Sequence, residues 1–477
     1  MKGRHFVLFF AFLQLLVAFL TDSQTFTHEE SMWHYIGRNW FRFGLTPYEG
    51  GVDNKSPLIF AVFGLSDILF GINYWFPRLI GVIVQSAGLY FLYRIALHLA
   101  GRQAAMISVT IYGFALLWRT TGGKYVSFTE TYAVTCIIVS IYYFITAGSN
   151  ARFFISGLLA GLALGWRLSA FSGILAIGIY SILKRRNAIL PFSGGLLATI
   201  LALLLMAVAA GIDLQQLYFF TIADNFGAGS TTDHSLGWQV EKILSNFFYS
   251  ELIIFYPAVI AYFLMKKQFS LLTIWLVCEF IGIALLGIYA RPHFKQLLPA
   301  LSLTSGIGIA YFASNYRLSM KLVMTIIIIL FIPKNIEPLR VLKKLVTGIP
   351  DNSGSFCLPP FPRTDEQAEK KLGRWIRDNT SSQDTVLVAG FGARVQLYSE
   401  RFSPSVYFNV TQTEHAKKQF MKEVNQSKPD LLAIPVFPDY KTHVHEDLRN
   451  FIDSLAINEY DYKECRNGYS IYRLKKQ

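Results

Sequence analysis

"LIFAVFGLSDILFG", residues 58–71, is the stretch on which the fold turns. It is apolar, but it holds only 14 residues and carries Asp67. A helix that crosses a bilayer core takes about 20 residues. The segment therefore reads as re-entrant or interfacial, lying along the outer surface of a membrane rather than passing through it. If it crossed, every later connector would change sides.

Around this stretch the chain is built from long apolar blocks. Of its 477 residues 53% are hydrophobic and only 16% charged, against about 25% charged in soluble domains. With the N-terminus inside, the first span covers about 5–21. Ten more follow at about 77–98, 103–120, 130–147, 153–168, 170–184, 190–211, 249–265, 270–289, 297–313 and 319–334. The connectors this assigns to the cytoplasm are short and basic. They hold Arg94 with Arg102, Arg152, "KRRN" (184–187), Lys266 with Lys267, and Arg317 with Lys321, as the positive-inside rule expects. The net charge of +13 resides largely in such connectors, so it argues against nucleic acid as a partner. "MKGRH" followed by an apolar block resembles a signal peptide. No small-x-small cleavage pattern follows it, so the block reads as a retained anchor.

The expected fold class is a polytopic α-helical membrane protein of about eleven transmembrane helices, with the outer re-entrant segment and a C-terminal extracytoplasmic α/β domain. The division falls at 1–335 for the transmembrane part, with outer loops 22–76 and 212–248, and 336–477 for the tail. In the tail, 366–379 and 445–456 have helical spacing, while 384–392, 431–437 and 469–474 read as strands. Cys136 and Cys278 lie in apolar blocks. Cys357 and Cys465 lie in the tail, where a disulfide is open to them in an oxidising compartment.

The first outer loop begins "THEESMWHYIGRNWFRFG" (27–44). Thr27 with Glu30 three residues on forms a capping box at the start of a helix, which gives Glu30 a structural role. Glu29 shares a stripe with Met32, Trp33, Ile36, Trp40 and Phe43, while His34, Arg38 and Arg42 fall on the other face. A carboxylate at the edge of an apolar stripe is costly unless paired or used. Glu29 is therefore a candidate base. Glu130 opens a span on the same outer side. Lys55, Arg167, Arg291, His293 and Lys295 also fall on that side. Each alone reads as an interfacial basic residue. Together they suit an anionic lipid headgroup beside a nucleophile that must lose a proton.

These residues resemble the GT-C superfamily of polyprenyl-phosphate-dependent glycosyltransferases. The nearest branch is the dolichyl-phosphate-mannose-protein-mannosyltransferase-like group, which includes the lipid A aminoarabinose transferases. The first loop of that group typically reads Asp-Glu, an "IARN"-like helix, G-x-P-Y and D-x-K-P-P-L. Here stand Glu29-Glu30, "IGRN" (36–39), "GLTPY" (44–48) and "DNKSPL" (53–58). Arg78, Glu130 and "HFKQLLPAL" (293–301) match further elements.

The resemblance implies a GT-C fold and transfer of a sugar, with inversion, from a polyprenyl-phosphate donor to an acceptor hydroxyl at the outer face of the cell (inner) membrane. It makes Glu29 the candidate base, with Glu30 as its rival, and Glu130 a supporting acid. Lys55, Arg291 and His293, with Lys295 and Arg167, would hold the lipid phosphate. The acceptor is a glycan, lipid or protein. No cofactor is assigned, and a divalent metal stays open. A transporter and an O-antigen ligase- or polymerase-like protein are the alternative classes.

Overall fold

A computed structural model describes residues 3–19, 26–118, 121–224, 236–248, 251–265, 270–285, 291–331, 366–390, 392–408, 413–436 and 446–475. The chain divides into two compact units. The first holds Met1–Thr21, Pro77–Ala207 and Thr232–Thr347. The second holds Asp22–Phe76, Val208–Thr231 and Gly348–Gln477. This grouping differs from the linear one drawn from the sequence, because the first outer loop joins the tail.

The first unit is helical. It holds α1 (Gly3–Phe19), most of α4 (Trp75–Ala115), α5 (Thr129–Ile145), α6 (Asn150–Trp166), α7 (Phe171–Lys184) and α8 (Ile189–Ala209). It continues with α10 (Leu236–Ile243), α11 (Tyr256–Met265), α12 (Leu271–Leu285), α13 (Leu298–Asn315) and α14 (Met320–Phe331). The helix α4 is two helices joined at Gly101, whose φ of 81° only glycine adopts freely. The break separates the two stretches that the sequence reads as separate spans. The helix pairs α5–α6, α7–α12 and α11–α13 pack side by side around one apolar core.

Among the described residues two helices, Trp75–Ala115 and Arg186–Ala209, are long and apolar enough to cross a membrane. A bent pair, Val240–Asn246 with Glu251–Met265, would make a third. Shorter apolar helices lie at His5–Phe19, Thr129–Ile145, Leu168–Lys184, Leu271–Ala284 and Met320–Phe331.

In the second unit, α2 (His28–Phe43) packs on α3 (Pro57–Phe70). The contact is nearly backbone to backbone. A Cβ on Gly37 would stand 2.4 Å from the Phe60 carbonyl oxygen, and one on Gly64 would stand 2.6 Å from that of Gly37. Two glycines facing each other thus set how closely the helices approach. The opposite side of α3 leaves Leu65, Ile68, Leu69 and Phe70 exposed.

The tail forms a four-stranded sheet in the order β1-β2-β4-β3, from β1 (Val386–Val388), β2 (Leu431–Pro435), β3 (Tyr460–Arg466) and β4 (Tyr469–Leu474). β1 and β2 are parallel. β4 runs antiparallel to both of its neighbours. The helices are α15 (Glu366–Asn379), α16 (Ala393–Ser399), α17 (Glu414–Gln426) and α18 (Glu446–Glu459), and the short α9 (Leu214–Tyr218) also belongs to this unit.

The helices α9, α16 and α17 and the strand β3 are absent from the sequence reading. β3 is an edge strand whose residues "YDYKECR" are mostly exposed, so it has no apolar run to mark it. The first loop is joined to the tail by Val52 N–H on the Val406 carbonyl at 2.9 Å and Ser403 N–H on Tyr35 Oη at 3.0 Å. The Arg394 Nε–H also donates to the Phe26 carbonyl at 2.9 Å. Cys465 is disulfide-bonded, and Cys136 and Cys278 are free. Cys357 lies outside the described residues.

Candidate functional site

In the first unit α6 ends at Trp166, whose ring stacks on Tyr132 of α5 at 4.2 Å. Arg167 then leaves the helix in an extended conformation, with φ −162° and ψ 128°. That turn carries its guanidinium back to the first turn of α5, where Nη1 pairs with Glu130 Oε1. Both side chains are nearly enclosed, with Arg167 11% and Glu130 4% exposed. The pair therefore sits where the local dielectric is low and the interaction is strong. Thr129 Oγ1 donates to the other Glu130 oxygen at 3.2 Å.

The fork of Arg167 has a second partner, since its Nε donates to Ser169 Oγ at 2.7 Å. Ser169 Oγ donates in turn to Gln296 Oε1 at 2.8 Å. The Gln296 amide nitrogen contacts the Ser169 carbonyl at 2.9 Å, Ser172 Oγ at 2.7 Å and the carboxylate of Glu279. Glu279 is 1% exposed. Its Oε2 also accepts from Ser172 Oγ at 2.6 Å, and its Oε1 from Trp275 Nε1 at 2.7 Å. A small cavity is lined by Glu130, Arg167, Trp275, Glu279 and Gln296 together with apolar residues of α5.

The first unit thus brings together Glu130 and Arg167 from the sequence-predicted set. Lys295 stands close by, in the 3₁₀ turn Arg291–Gln296. It is 1% exposed, and its ammonium donates to Thr131 Oγ1 at 2.6 Å. Burial pushes Lys295 down to about 7, against the raising effect of the Glu130 charge. His293 is half-buried in the same turn. Arg291 opens the turn, and its side chain lies outside the described residues.

Glu29, Glu30 and Lys55 belong to the second unit. The capping box forms as expected. Glu30 N–H donates to Thr27 Oγ1 at 3.0 Å, and Thr27 N–H donates to Glu30 Oε2 at 2.7 Å. Glu30 is fully buried in this role. Glu29, one residue earlier, is exposed in the first turn of α2. The apolar stripe it shares with Met32, Trp33 and Ile36 is buried only beyond it, so the chain does not enclose Glu29 as the edge argument supposed. Lys55 is half-buried, with its ammonium on the Asn54 side chain and its carbonyl accepting from Tyr48 Oη at 2.8 Å. Asp53 accepts from Trp33 Nε1 at 2.6 Å.

On the polar face of α2, His34 is buried, Arg38 half-buried and Arg42 exposed. His34, Arg38 and Arg42 surround Asp67 of α3, which is fully buried. His34 Nε2 lies 3.0 Å from Asp67 Oδ1, Arg38 Nη1 lies 3.5 Å from it, and Arg42 holds Oδ2 and the Asp67 carbonyl. Arg38 reaches Glu400 at 2.6 Å as well. Burial lowers the pKa of His34. Its Nδ1 is enclosed with no hydrogen-bond partner, which suits the neutral ring with the proton on Nε2. Burial works to raise Asp67, but the hydrogen bonds from His34 and Arg42 prevail and hold it below the usual carboxylate range.

Sequence reasoning missed Glu279, Gln296, Ser169 and Ser172. One signal was available. Glu279 is a lone acid in "IWLVCEFIGIALL" (274–286), and an ionisable residue inside an apolar span marks a function by default. Among the described residues no three His, Cys, Asp or Glu side chains converge as a metal site would require.

Residues 54–210 match the sequence model of the family described as dolichyl-phosphate-mannose-protein mannosyltransferase. No curated protein sequence matches the chain. Among solved structures, ArnT from Cupriavidus metallidurans in the apo state superposes with a TM-score of 0.64 at 13% identity, covering 100% of both chains. The same protein bound to undecaprenyl phosphate gives 0.61 at 13% identity over 99% of each chain. The archaeal oligosaccharyltransferase AglB from Archaeoglobus fulgidus, in complex with an inhibitory peptide and a dolichol-phosphate, gives 0.58 at 10% identity. That match covers 99% of this chain and 74% of the other. A further structure of the A. fulgidus oligosaccharyltransferase is a complex with Zn and sulfate. Over its whole length the chain therefore shares the fold of ArnT, and residues 54–210 also match the sequence pattern of the mannosyltransferase family.

Proposed function

We propose that the protein is a membrane glycosyltransferase that moves a sugar from a polyprenyl-phosphate donor to an acceptor hydroxyl at the outer face of the cell (inner) membrane. The observation that carries this reading is the full-length GT-C fold with a buried Glu130–Arg167 pair at a cavity in its helical unit. The lipid phosphates bound to ArnT and AglB support the donor class.

Glu29 is the base. It is exposed where a substrate can reach it, whereas both donor and acceptor duties of Glu30 are taken by the cap. Glu29 takes the proton of the acceptor hydroxyl as that oxygen bonds to the anomeric carbon. The bond from that carbon to the phosphate oxygen breaks, and the electron pair leaves with the polyprenyl phosphate. In-line displacement inverts the anomeric centre. By the family resemblance Lys55, Arg291 and His293 bind the lipid phosphate with Arg167 in support, so the growing negative charge meets cations. Lys295 is enclosed, and we give it the part of holding Thr131 beside Glu130. The described residues offer no ready metal donor set, and no step is routed through a metal.

Eleven spans with the N-terminus in the cytoplasm complete the reading, in which 1–335 is the transmembrane catalytic part and 336–477 lies outside. The bonded Cys465 supports an oxidising compartment for the tail. The exposed apolar face of α3 supports an interfacial segment.

The test is sugar transfer by the purified protein in lipid nanodiscs, with radiolabelled polyprenyl-phosphate sugars and envelope extracts as acceptor. We expect transfer by the native chain and its loss in Glu29→Gln. No transfer from any polyprenyl-phosphate sugar would overturn the class, and an unimpaired Glu29→Gln would remove Glu29 as base. Mass spectrometry of envelope glycans with and without the protein then identifies sugar and acceptor.

A further inference from the structure

We infer that Glu279 is a positioning residue. Together with the Ser169 carbonyl it sets the direction of a hydrogen-bond chain through Gln296 and Ser169 that aims Arg167 at Glu130. This inference rests on the glycosyltransferase reading above.

An ionised carboxylate only accepts, a tryptophan N–H only donates, and a carboxamide has one end of each kind. Glu279 serves three donors: Trp275 Nε1 on one oxygen, and Ser172 Oγ and the Gln296 amide nitrogen on the other. Because the carboxylate and the Ser169 carbonyl, at 2.9 Å, both take the nitrogen of Gln296, its oxygen faces the Ser169 hydroxyl. The Ser169 hydroxyl then spends its proton on that oxygen, at 2.8 Å. Its lone pairs are left for the Nε–H of Arg167, at 2.7 Å. The guanidinium fork is thereby held with Nη1 on Glu130. Glu279, Gln296 and Ser172 are buried and Ser169 and Arg167 half-buried, and the members come from α12, the 3₁₀ turn before α13, and the corner between α6 and α7. No neutral side chain at position 279 serves all three donors at once.

Glu279→Gln leaves one acceptor oxygen where three donors compete. If the oxygen of the introduced carboxamide faces Trp275, its NH₂ opposes the NH₂ of Gln296. The Gln296 amide then either rests on the Ser169 carbonyl and the Ser172 hydroxyl alone or turns over. Turning over reverses Ser169, so that two donors meet at Arg167 Nε. Removing the competing tryptophan donor frees the introduced carboxamide to turn its oxygen toward Gln296 and restore the chain. A second substitution is thus expected to repair the first, which additive structural damage does not produce.

The experiment measures kcat and KM for sugar transfer in nanodiscs for the native chain, Glu279→Gln, Trp275→Phe, the double variant and Ser169→Ala. We expect Glu279→Gln and Ser169→Ala each to lower kcat by about ten- to a hundredfold with KM changed less, as a small misplacement of a charged group does. We expect the double variant to recover most of the loss in Glu279→Gln. Full kcat in Ser169→Ala, or a double variant no better than Glu279→Gln, overturns the inference. Ser169→Ala keeps it open to refutation if the charge-changing variant does not fold. An inactive native chain overturns the functional reading instead, so the two failures are distinct.

Discussion

Two buried carboxylates, one in each unit, are satisfied in opposite ways. Asp67 in the α2–α3 pair is surrounded by His34, Arg38 and Arg42, two of them permanent cations. Glu279 in the helical unit meets only neutral donors, namely a tryptophan, a serine and a carboxamide. A carboxylate held by cations is tied to them by charge, and its removal strands those charges. A carboxylate held by neutral donors fixes which way those donors point, and its removal scrambles their direction. The first arrangement serves the architecture. The second aligns other residues.

The comparison is broken most forcefully at Asp67. Asp67→Ala removes the shared partner of His34, Arg38 and Arg42 while Arg38 keeps Glu400 and Arg42 is partly exposed, a loss of about 1–3 kcal/mol. Limited proteolysis of α2 and α3 and the unfolding temperature should both register it. A variant as stable as the native chain would mean that the basic groups find other partners. Glu279→Gln should leave the unfolding temperature nearer the native value while kcat falls.

Arg167→Lys comes next. A lysine keeps the charge but not the fork that serves Glu130 and Ser169 together. Transfer should fall about tenfold, and a lysine variant with native kcat would show that charge alone suffices.

The pH dependence separates the two regions. His34 has its pKa lowered in the folded state, so the unfolded chain binds its proton first as pH falls. The second unit should therefore lose stability once pH drops below the ordinary 6.5 of histidine. Asp67 is also lowered. Its contribution is present above its ordinary 3.8 and is lost as pH falls through the folded value. Unfolding of the native chain and of His34→Gln across roughly pH 7 to 4 should differ in the upper part of that range. Curves of the same shape would show that His34 does not titrate between the two states.

The smallest expected effect is at Glu30. Glu30→Ala removes half of the capping box and should cost about 1 kcal/mol with little change in kcat. A large fall in kcat at native stability would make Glu30, not Glu29, the base.

Much of this was legible in the chain alone. The capping box at Thr27 and Glu30 follows from four consecutive residues, and so does the 14-residue limit on α3 follow from its length. The tail helix Glu366–Asn379 follows from one apolar stripe. Such features depend on neighbours within a turn or two of chain, and local geometry is what sequence spacing encodes. The edge strand β3 was hidden because its residues after Tyr460 are exposed or half-buried, so no apolar run or alternation marks it, and its partners stand 3 to 14 residues away in the pairing register.

The order of residues alone shows a chain built of apolar helices with a basic bias to their connectors. It also determined that acids and cations gather in the first loop, at Glu130 and around residues 291–295. Only the tertiary structure decided what those charges meet. Asp67 became the centre of three basic groups, Glu30 became a cap, and Glu279 became the head of a chain ending at Arg167. The physical reason is range. A helix needs partners three and four residues away, whereas Gln296 bonds to Ser169 across 127 residues, and only packing brings such groups within a hydrogen bond.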